Sequence, residues 1–161
     1  MKTIAYTDGA TWKTNPSTAA GIGVVMYPER APIVEEGDIF TLCEPCPDYI
    51  TTNNQAEYYG IIRALEEWML QHLFEDSDDH VELELRTDSE LIANHINGKA
   101  QVRNDALKPL YAQARALIEM AERADGKVTI IHIPREENRW ADRLSKEAAG
   151  LAAAMYEIEH G

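Results

Sequence analysis

The order of strand-like and helix-like segments constrains this chain most, because it decides which strands can pair and in which direction. The first segment, KTIAYTD, ends at Asp8, and the segments GIGVVMYP and PIVEEGDIFTL follow with the alternation typical of strands. The loop between the first two segments, GATWKTNPSTAA, is rich in turn-forming residues. Three strands in succession without a helix predict an antiparallel meander.

The apolar period then changes from two residues to between three and four. This pattern predicts an amphipathic helix from about Asn54 to Leu73, and HVELELRTD returns to the alternation of a strand. A short helix, the longer helix LKPLYAQARALIEMAERA, the fifth strand KVTIIHIP and the last helix REENRWADRLSKEAAGLAAAM complete the order. Helical crossovers favour parallel pairs, so we predict an α/β fold with a mixed five-stranded sheet and helices on both faces. We expect residues 1–161 to form a single domain, since no repeat or long linker interrupts them.

Composition excludes several classes of protein. No apolar run approaches the roughly 20 residues that cross a bilayer, and MKTIAYTDGA becomes polar too early for a signal peptide. We therefore expect no membrane association and a cytoplasmic location. The net charge of −13 argues against casual binding to nucleic acids and leaves adaptation to high salt open.

Cys43 and Cys46 form a C-x-x-C pair in a proline-rich segment. No second pair of Cys or His lies at the spacing of zinc ligands. A redox role, a local disulfide and a plain loop stay open for this pair.

Four carboxylates lie at junctions between the predicted elements. Asp8 and Asp88 end the first and fourth strands, Glu57 lies in the first turn of the long helix, and Asp142 lies near the start of the last helix. Each also has a purely structural explanation. Asp8 could brace a turn beside Gly9, and Glu57 could be the capping partner of Asn54. Asp88 could interact with the N-terminus of a helix that begins with a Thr87–Glu90 capping box, and Asp142 could simply face solvent.

Taken together, the structural explanations become weaker. Asp8 and Asp88 end strands that we predict to be interior, where an unpaired charge is costly. Carboxylates that converge repel one another unless a cation lies among them, and oxygen ligands select Mg²⁺ or Mn²⁺. Two such ions about 4 Å apart can hold both the attacking and the leaving oxygen of a phosphodiester.

Four segments of the chain resemble the signature blocks of type 1 ribonuclease H, in the order of that family. They are YTDGA, TTNNQAEYYGIIRALE, RTDSELIANHING and HIPREENRWADRLSKEAA, which together run from Tyr6 to Ala149. The resemblance implies a sheet with strand order 3-2-1-4-5. It also implies cleavage of the RNA strand of RNA–DNA hybrids, with 5′-phosphate and 3′-hydroxyl ends.

The resemblance further implies a role for each acid. Asp8 would bridge two metal ions, Asp142 would complete the site of the ion that activates water, and Glu57 and Asp88 would hold the ion at the leaving oxygen. His132, ten residues before Asp142, matches the mobile histidine that assists proton transfer or product release. The alternative for His132 is a partly buried histidine at the end of a strand.

The same resemblance implies contacts to the hybrid, in which 2′-hydroxyls distinguish RNA from DNA. The backbone of Gly9 and Ala10 and the side chains of Glu57 and Ser89 suit the RNA strand. The resemblance implies that Asn15, Asn53 and Asn54 approach either strand. It implies that Thr52 and Asn104 grip a DNA phosphate. Helix capping is the alternative for Asn53 and Asn54.

Asn138 has two explanations in the sequence: it could orient the loop around Asp142 and thereby serve substrate binding, or it could cap the last helix. Departures from the family pattern lie elsewhere. Thr14 and Ser17 replace both glycines of the usual loop around Asn15.

The segment NGKAQVRNDALKPL is short and contains few basic residues where many family members carry a basic helix and loop. The chain therefore resembles the compact archaeal-type and short bacterial members, and we expect a monomer without an obligate protein partner. Two alternatives stay open: another nuclease of the same fold, such as a junction resolvase or a reverse-transcriptase-derived domain, and a non-catalytic nucleic-acid-binding module.

Overall fold

Five strands form one twisted sheet in a computed structural model that describes residues 1–13, 18–30, 35–73 and 80–160. The strands are β1 (Lys2–Lys13), β2 (Thr18–Pro28), β3 (Phe40–Pro45), β4 (Val81–Thr87) and β5 (Gly126–His132). Their order across the sheet is β3-β2-β1-β4-β5. The first three strands pair antiparallel, whereas β1 with β4 and β4 with β5 pair parallel. The predicted mixed sheet with order 3-2-1-4-5 is confirmed.

Four α-helices connect and cover the strands. They are α1 (Asn53–Trp68), α2 (Glu90–Ile96), α3 (Lys108–Arg123) and α4 (Arg139–His160). Short turns of other helical types lie at Glu36–Asp38, Met69–Leu73 and Arg135–Glu137. Gly9 of β1 faces α1, and Gly21 and Gly23 of β2 face α4. Because Gly9 pairs with Ile22, which lies between Gly21 and Gly23, these contacts are on opposite faces of the sheet, as predicted.

The two faces are packed in different ways. Ile61, Leu65 and Trp68 of α1 are fully buried against the sheet, and burial of each large side chain contributes about 1.5–3 kcal/mol. On the other face the buried alanines of α4 lie directly on the glycines of β2. In the part of the chain that the structure describes, the helices are too short or too polar to span a bilayer.

Two predicted strand boundaries are wrong. β1 does not end at Asp8 but continues to Lys13, because the antiparallel pairing with β2 persists to Thr18. Only the parallel pairing with β4 stops before Asp8, at Thr7 and Thr87. Asp8 therefore lies where β1 extends beyond its parallel neighbour.

The third strand is the other correction. It was predicted within residues 32–42, but β3 begins at Phe40 and ends at Pro45. A helical turn at Glu36–Asp38 precedes it, and residues 31–34 lie outside the described residues. The apolar–polar alternation in EEGDIF therefore belongs to a helical turn that leads into β3 and not to β3 itself.

Candidate active site

Asp8 is the centre of the acidic cluster because it lies where two helices approach β1. Its side chain is only 4% exposed, and the backbone N–H of Gly9 donates a hydrogen bond to its Oδ1 at 2.9 Å. The pairing of β1 with β4 ends at Thr7, so beyond this residue other groups can approach that edge of β1. A buried carboxylate thus lies at an opening in the sheet.

Gly9 brings α1 to Asp8. A Cβ atom at Gly9 would lie 2.3 Å from the carbonyl carbon of Ala56 and 2.5 Å from the backbone nitrogen of Glu57, so no larger residue fits. Thr52 fixes the start of this helix through a capping box: its hydroxyl accepts from the Gln55 N–H at 3.2 Å, and Gln55 Oε1 accepts from the Thr52 N–H at 3.0 Å. The result is a buried Glu57 beside Asp8.

Gly23 brings α4 to the same place from the opposite face. It pairs directly with Asp8 in the sheet, and a Cβ at this position would lie 2.2 Å from the carbonyl oxygen of Ala141. The first turns of α4 therefore rest on the β2 backbone. Asp142 follows Ala141, and its carboxyl lies within hydrogen-bonding reach of the Asp8 carboxyl.

Asp8, Glu57 and Asp88 converge closely enough to share an ion. One carboxylate oxygen from each lies within 4.8 Å of the others. Asp88 follows β4 directly, and Asp142 joins the group through its contact with Asp8. The structure thus places three of the four predicted acids within 4.8 Å of one another and the fourth, Asp142, in contact with Asp8.

The acids on the buried side of the cluster resist ionisation. Burial raises the pKa of Asp8 to about 7, and the charge of Asp88 acts in the same direction. Burial, with the neighbouring Asp8, raises the pKa of Glu57 well above its ordinary value. Glu57 Oε2 is buried without a hydrogen-bond partner among the described residues. An orphaned oxygen among converging carboxylates fits a divalent cation with hard oxygen ligands.

Asp142 has the opposite electrostatic environment. Burial raises its pKa, but contacts with Asp8, Lys146 and Arg135 outweigh burial, so the pKa lies below its ordinary value. Lys146 Nζ is 3.0 Å from Asp142 Oδ2, and an Arg135 nitrogen is 4.0 Å from Oδ1. Neither cation was predicted from the sequence, although Lys146 lies four residues after Asp142, a spacing that is typical of ion pairs on a helix.

Asn138 links the acids to one another. Its Nδ2 donates to the Thr7 backbone carbonyl at 2.8 Å and to Asp88 Oδ2 at 3.2 Å. The backbone carbonyl of Asn138 accepts from the Asp142 N–H at 3.0 Å. The side chain is 1% exposed, so it works inside the protein. Its side chain therefore orients Asp88, while its backbone carbonyl accepts the first hydrogen bond of α4, so the bonds fit both predicted roles, orientation of the loop before Asp142 and a position at the start of the last helix.

Several predicted substrate residues also have local structural roles. Ser89 is the N-cap of α2 and accepts from the Ile92 N–H at 3.3 Å, while the Thr87 hydroxyl accepts from the Ser89 N–H at 3.1 Å. The Thr87–Glu90 capping box is therefore wrong, because Ser89 occupies the cap. For α1 the cap is Thr52, so neither the cap at Asn54 nor that at Asn53 forms.

Among the remaining predicted residues, Asn53, Asn54 and Asn104 are exposed and Ala10 is half-buried. Asn53 Oδ1 accepts from the Thr11 hydroxyl at 2.7 Å, Asn54 is exposed in the first turn of α1, and Ala10 pairs with Gly21 in the sheet. Asn104 Oδ1 accepts from the Ala106 N–H at 2.8 Å in the segment that leads to α3. Asn15 lies outside the described residues.

His132 ends β5 beside the acidic cluster. It pairs with Thr87 of β4, the residue before Asp88, and it is exposed to solvent.

Cys46 and His95 have environments of a different kind. Burial raises the pKa of Cys46 to about 12, which argues against a reactive thiolate, and His95 is buried with its Nδ1 2.8 Å from the Tyr58 hydroxyl.

A mixed sheet of this order, with carboxylates from β1, α1, α4 and the end of β4, defines the ribonuclease H-like class of proteins. The family described as reverse transcriptase-like matches residues 6–148. Ribonuclease HI of Halobacterium salinarum is 33% identical over 144 residues, which cover 89% of this chain and 62% of that protein. The bifunctional protein Rv2228c of Mycobacterium tuberculosis is 30% identical over 155 residues, 95% of this chain and 37% of that protein.

Solved structures agree with these sequence relationships. LC11-RNase H1, isolated from compost by a metagenomic approach, is 36% identical with a TM-score of 0.74, and the match covers 94% of this chain and 97% of that chain. Another structure of LC11-RNase H1, in complex with an RNA/DNA hybrid, is matched at 31% identity and a TM-score of 0.72, over 93% and 98% of the two chains. This chain belongs to the type 1 ribonuclease H family. It spans between about a third and two thirds of the curated relatives it matches.

Proposed function

We propose that this chain is a divalent-metal-dependent endonuclease that hydrolyses the RNA strand of RNA–DNA hybrids and leaves 5′-phosphate and 3′-hydroxyl ends. Family membership and the hybrid bound to LC11-RNase H1 support this substrate. The observation that carries the proposal is the convergence of three carboxylates within 4.8 Å, two of them buried.

Asp8, Glu57, Asp88 and Asp142 would hold two Mg²⁺ or Mn²⁺ ions. When bound, such ions supply activation of a water nucleophile and stabilisation of the leaving oxygen. Without cations, the buried pair Asp8 and Glu57 resists ionisation, because burial raises the pKa of Asp8 to about 7 and raises that of Glu57 above its ordinary value. The protein therefore contributes a preformed but electrostatically unsatisfied ligand set.

The surrounding residues hold this ligand set in place. Asn138 fixes Asp88 through its amide nitrogen, and Lys146 and Arg135 keep Asp142 ionised. His132 is exposed at the end of β5 on the same edge of the sheet, where an imidazole can move a proton to or from bulk solvent. We assign it to proton transfer or product release.

Recognition of the hybrid would use polar groups more than positive charge. The Gly9–Ala10 backbone, Ser89 and the exposed start of α1 surround the cluster on β1, α2 and α1. The segment between α2 and α3 contains two basic residues, Lys99 and Arg103, and Lys108 at the start of α3 pairs with Asp105 at 2.8 Å. Few phosphate contacts predict binding that depends less on salt than in a basic homologue. We further propose that the chain acts as a monomeric single domain in the cytoplasm.

The test is cleavage of an end-labelled RNA–DNA hybrid, compared with single-stranded RNA, duplex RNA, duplex DNA and a four-way DNA junction, each with Mg²⁺, Mn²⁺ or EDTA. We expect cleavage of the hybrid only, at internal positions of the RNA and only with a divalent ion. Cleavage of the junction would identify another nuclease of this fold, and binding of the hybrid without cleavage would identify a non-catalytic module. Either result would overturn the proposal.

A further inference from the structure

A cavity of about 210 Å³ opens beside the start of α4, on the sheet face that carries Asp8. Its walls include the rings of Tyr6, Tyr27 and Trp140, and we call it the tyrosine–tryptophan pocket. Trp140 is 45% exposed although it lies next to the buried Ala141. An aromatic ring is thus held at the rim of a cavity by a helix that is firmly anchored to the sheet.

The rings of the pocket have fixed orientations. The centroids of Tyr6 and Tyr27 lie 6.2 Å apart with an interplanar angle of 31°. Arg86 donates a hydrogen bond to the Tyr6 hydroxyl at 2.5 Å, and its guanidinium carbon lies 5.2 Å from the centre of the Tyr6 ring. Glu84 in turn binds Arg86 at 2.6 Å, so the arrangement is preformed.

The pocket and the acidic cluster share a wall. Asn138 lines the pocket and also donates to Asp88 Oδ2. Tyr6 and Asp8 lie two residues apart on the same face of β1, a separation of about 7 Å along a strand. A group bound in the pocket therefore lies next to the position at which the phosphodiester would be cut.

The chemistry of the walls selects a flat ring with N–H groups on its edge. Tyr6, Tyr27 and Trp140 offer stacking surfaces, which accept any nucleobase. The exposed Glu137 lines the pocket, and its carboxylate is an acceptor that a bound ring can reach, whereas the Oδ1 atom of Asn138 is buried within the wall. The aromatic walls and the Glu137 carboxylate together favour an amino-bearing ring over an aliphatic side chain, which has no donor, or a phosphate, which is anionic.

We propose that the tyrosine–tryptophan pocket binds an unpaired nucleobase of a nucleotide next to the cleaved bond. The nucleic-acid source of that base rests on the proposed function, whereas the affinity of the pocket for a base does not. The pocket would thereby favour hybrids with a displaced or frayed nucleotide over fully paired ones.

The test is the binding of adenosine to the full chain in EDTA, without hybrid, followed by isothermal titration calorimetry and by tryptophan fluorescence. In the wild-type protein we expect saturable binding with a change in emission, because Trp140 is half exposed in the pocket. Trp140→Ala should weaken binding at least about fivefold, since one base–aromatic stack is lost. Trp12→Ala is the matched control: Trp12 is 53% exposed and lies six residues beyond Tyr6 on β1, about 20 Å along the strand.

Tyr27→Leu is a second variant and should weaken binding by a similar factor. Two results would overturn the proposal: no saturable binding of adenosine to the wild-type protein, or equal affinities of Trp140→Ala and Trp12→Ala. The wild-type measurement does not depend on whether a variant folds. Because the titration contains neither metal nor hybrid, it stays informative if the chain fails to cleave hybrids. Cleavage of hybrids without adenosine binding would refute base binding in the tyrosine–tryptophan pocket but would not affect the proposed function.

Discussion

The two sides of the acidic cluster differ in how their charge is balanced. On the α1 side, Glu57 is buried, has an unpartnered oxygen, and has a raised pKa. On the α4 side, Asp142 is partly exposed, contacts Lys146 and Arg135, and has a lowered pKa. The comparison shows that, among the described residues, the carboxylates on the α1 side lack positive partners that a cation would supply, whereas Asp142 on the α4 side has Lys146 and Arg135 beside it.

Asp8 belongs to both sides, so its replacement should have the largest effect. Asp8→Asn should lower turnover on the hybrid by about a thousandfold or more, because a shared metal ligand is lost. The same change should raise the free energy of unfolding of the metal-free protein at pH 8 by on the order of 1 kcal/mol, since one member of a repelling buried set becomes neutral. Cleavage assays and urea denaturation in EDTA measure the two effects. Substantial residual activity would remove Asp8 from the metal site.

The stability of the metal-free protein should depend on pH mainly through the α1 side. The folded pKa of Asp8, about 7, lies above its ordinary value of 3.8. The corresponding stability is therefore fully present below about pH 4 and is lost as the pH rises through about 7. Added Mg²⁺ should restore Tm at pH 8 and change it little at pH 5. Thermal unfolding with Mg²⁺ or EDTA tests this, and an equal Mg²⁺ effect at both pH values would contradict it.

Asn138 connects the two sides, and its loss should have an intermediate effect. Asn138→Ala removes the bond to Asp88 and should lower turnover about 10- to 100-fold, as expected for a residue that orients a metal ligand. The matched control is Asn97→Ala, which removes a comparable amide bond, from Nδ2 to the Ile130 carbonyl at 3.1 Å, away from the acids. Turnover should be measured at saturating Mg²⁺ on protein whose circular dichroism matches the wild type. An equal loss in both variants would indicate a general effect on stability.

The smallest effect should follow removal of one cation from the α4 side. Lys146→Ala leaves Arg135 near Asp142, and Lys146 is largely exposed, so turnover should change less than about threefold. The pKa of Asp142 should rise, and the acidic limb of the pH–rate profile should move to higher pH with it. Lys127→Ala is the control, since Lys127 pairs with Glu82 on the far end of the sheet. A large loss of turnover for Lys146→Ala alone would show that the α4 side also lacks charge balance.

Much of the fold could be predicted, because periodicity reports burial directly. Ile61, Leu65 and Trp68 recur at helical spacing, and all three are buried in α1. The end of β1 could not be predicted in this way. Gly9 has the composition of a turn, yet it continues the strand because the absence of a side chain lets α1 pack against it.

The acids of the site could be located from the ends of elements, but their environment could not. Asn138 acts on Thr7, a residue 131 positions away, and no local pattern encodes such a contact. The pKa of Asp8 and that of Asp142 move in opposite directions although both are aspartates at element junctions. That difference arises from burial and from the cations on α4, which only the assembled structure brings together.

The most direct test of a cation-dependent α1 side is the number of protons released when Mg²⁺ binds. Isothermal titration calorimetry at pH 6.5 in buffers of different ionisation enthalpy gives this number for the wild type and for Asp8→Asn. Because the pKa of Asp8 in the metal-free cluster is about 7 and that of Glu57 is raised above its ordinary value, Mg²⁺ should displace protons from the wild type and fewer from the variant. Binding of Mg²⁺ without proton release, or no binding at all, would contradict the account.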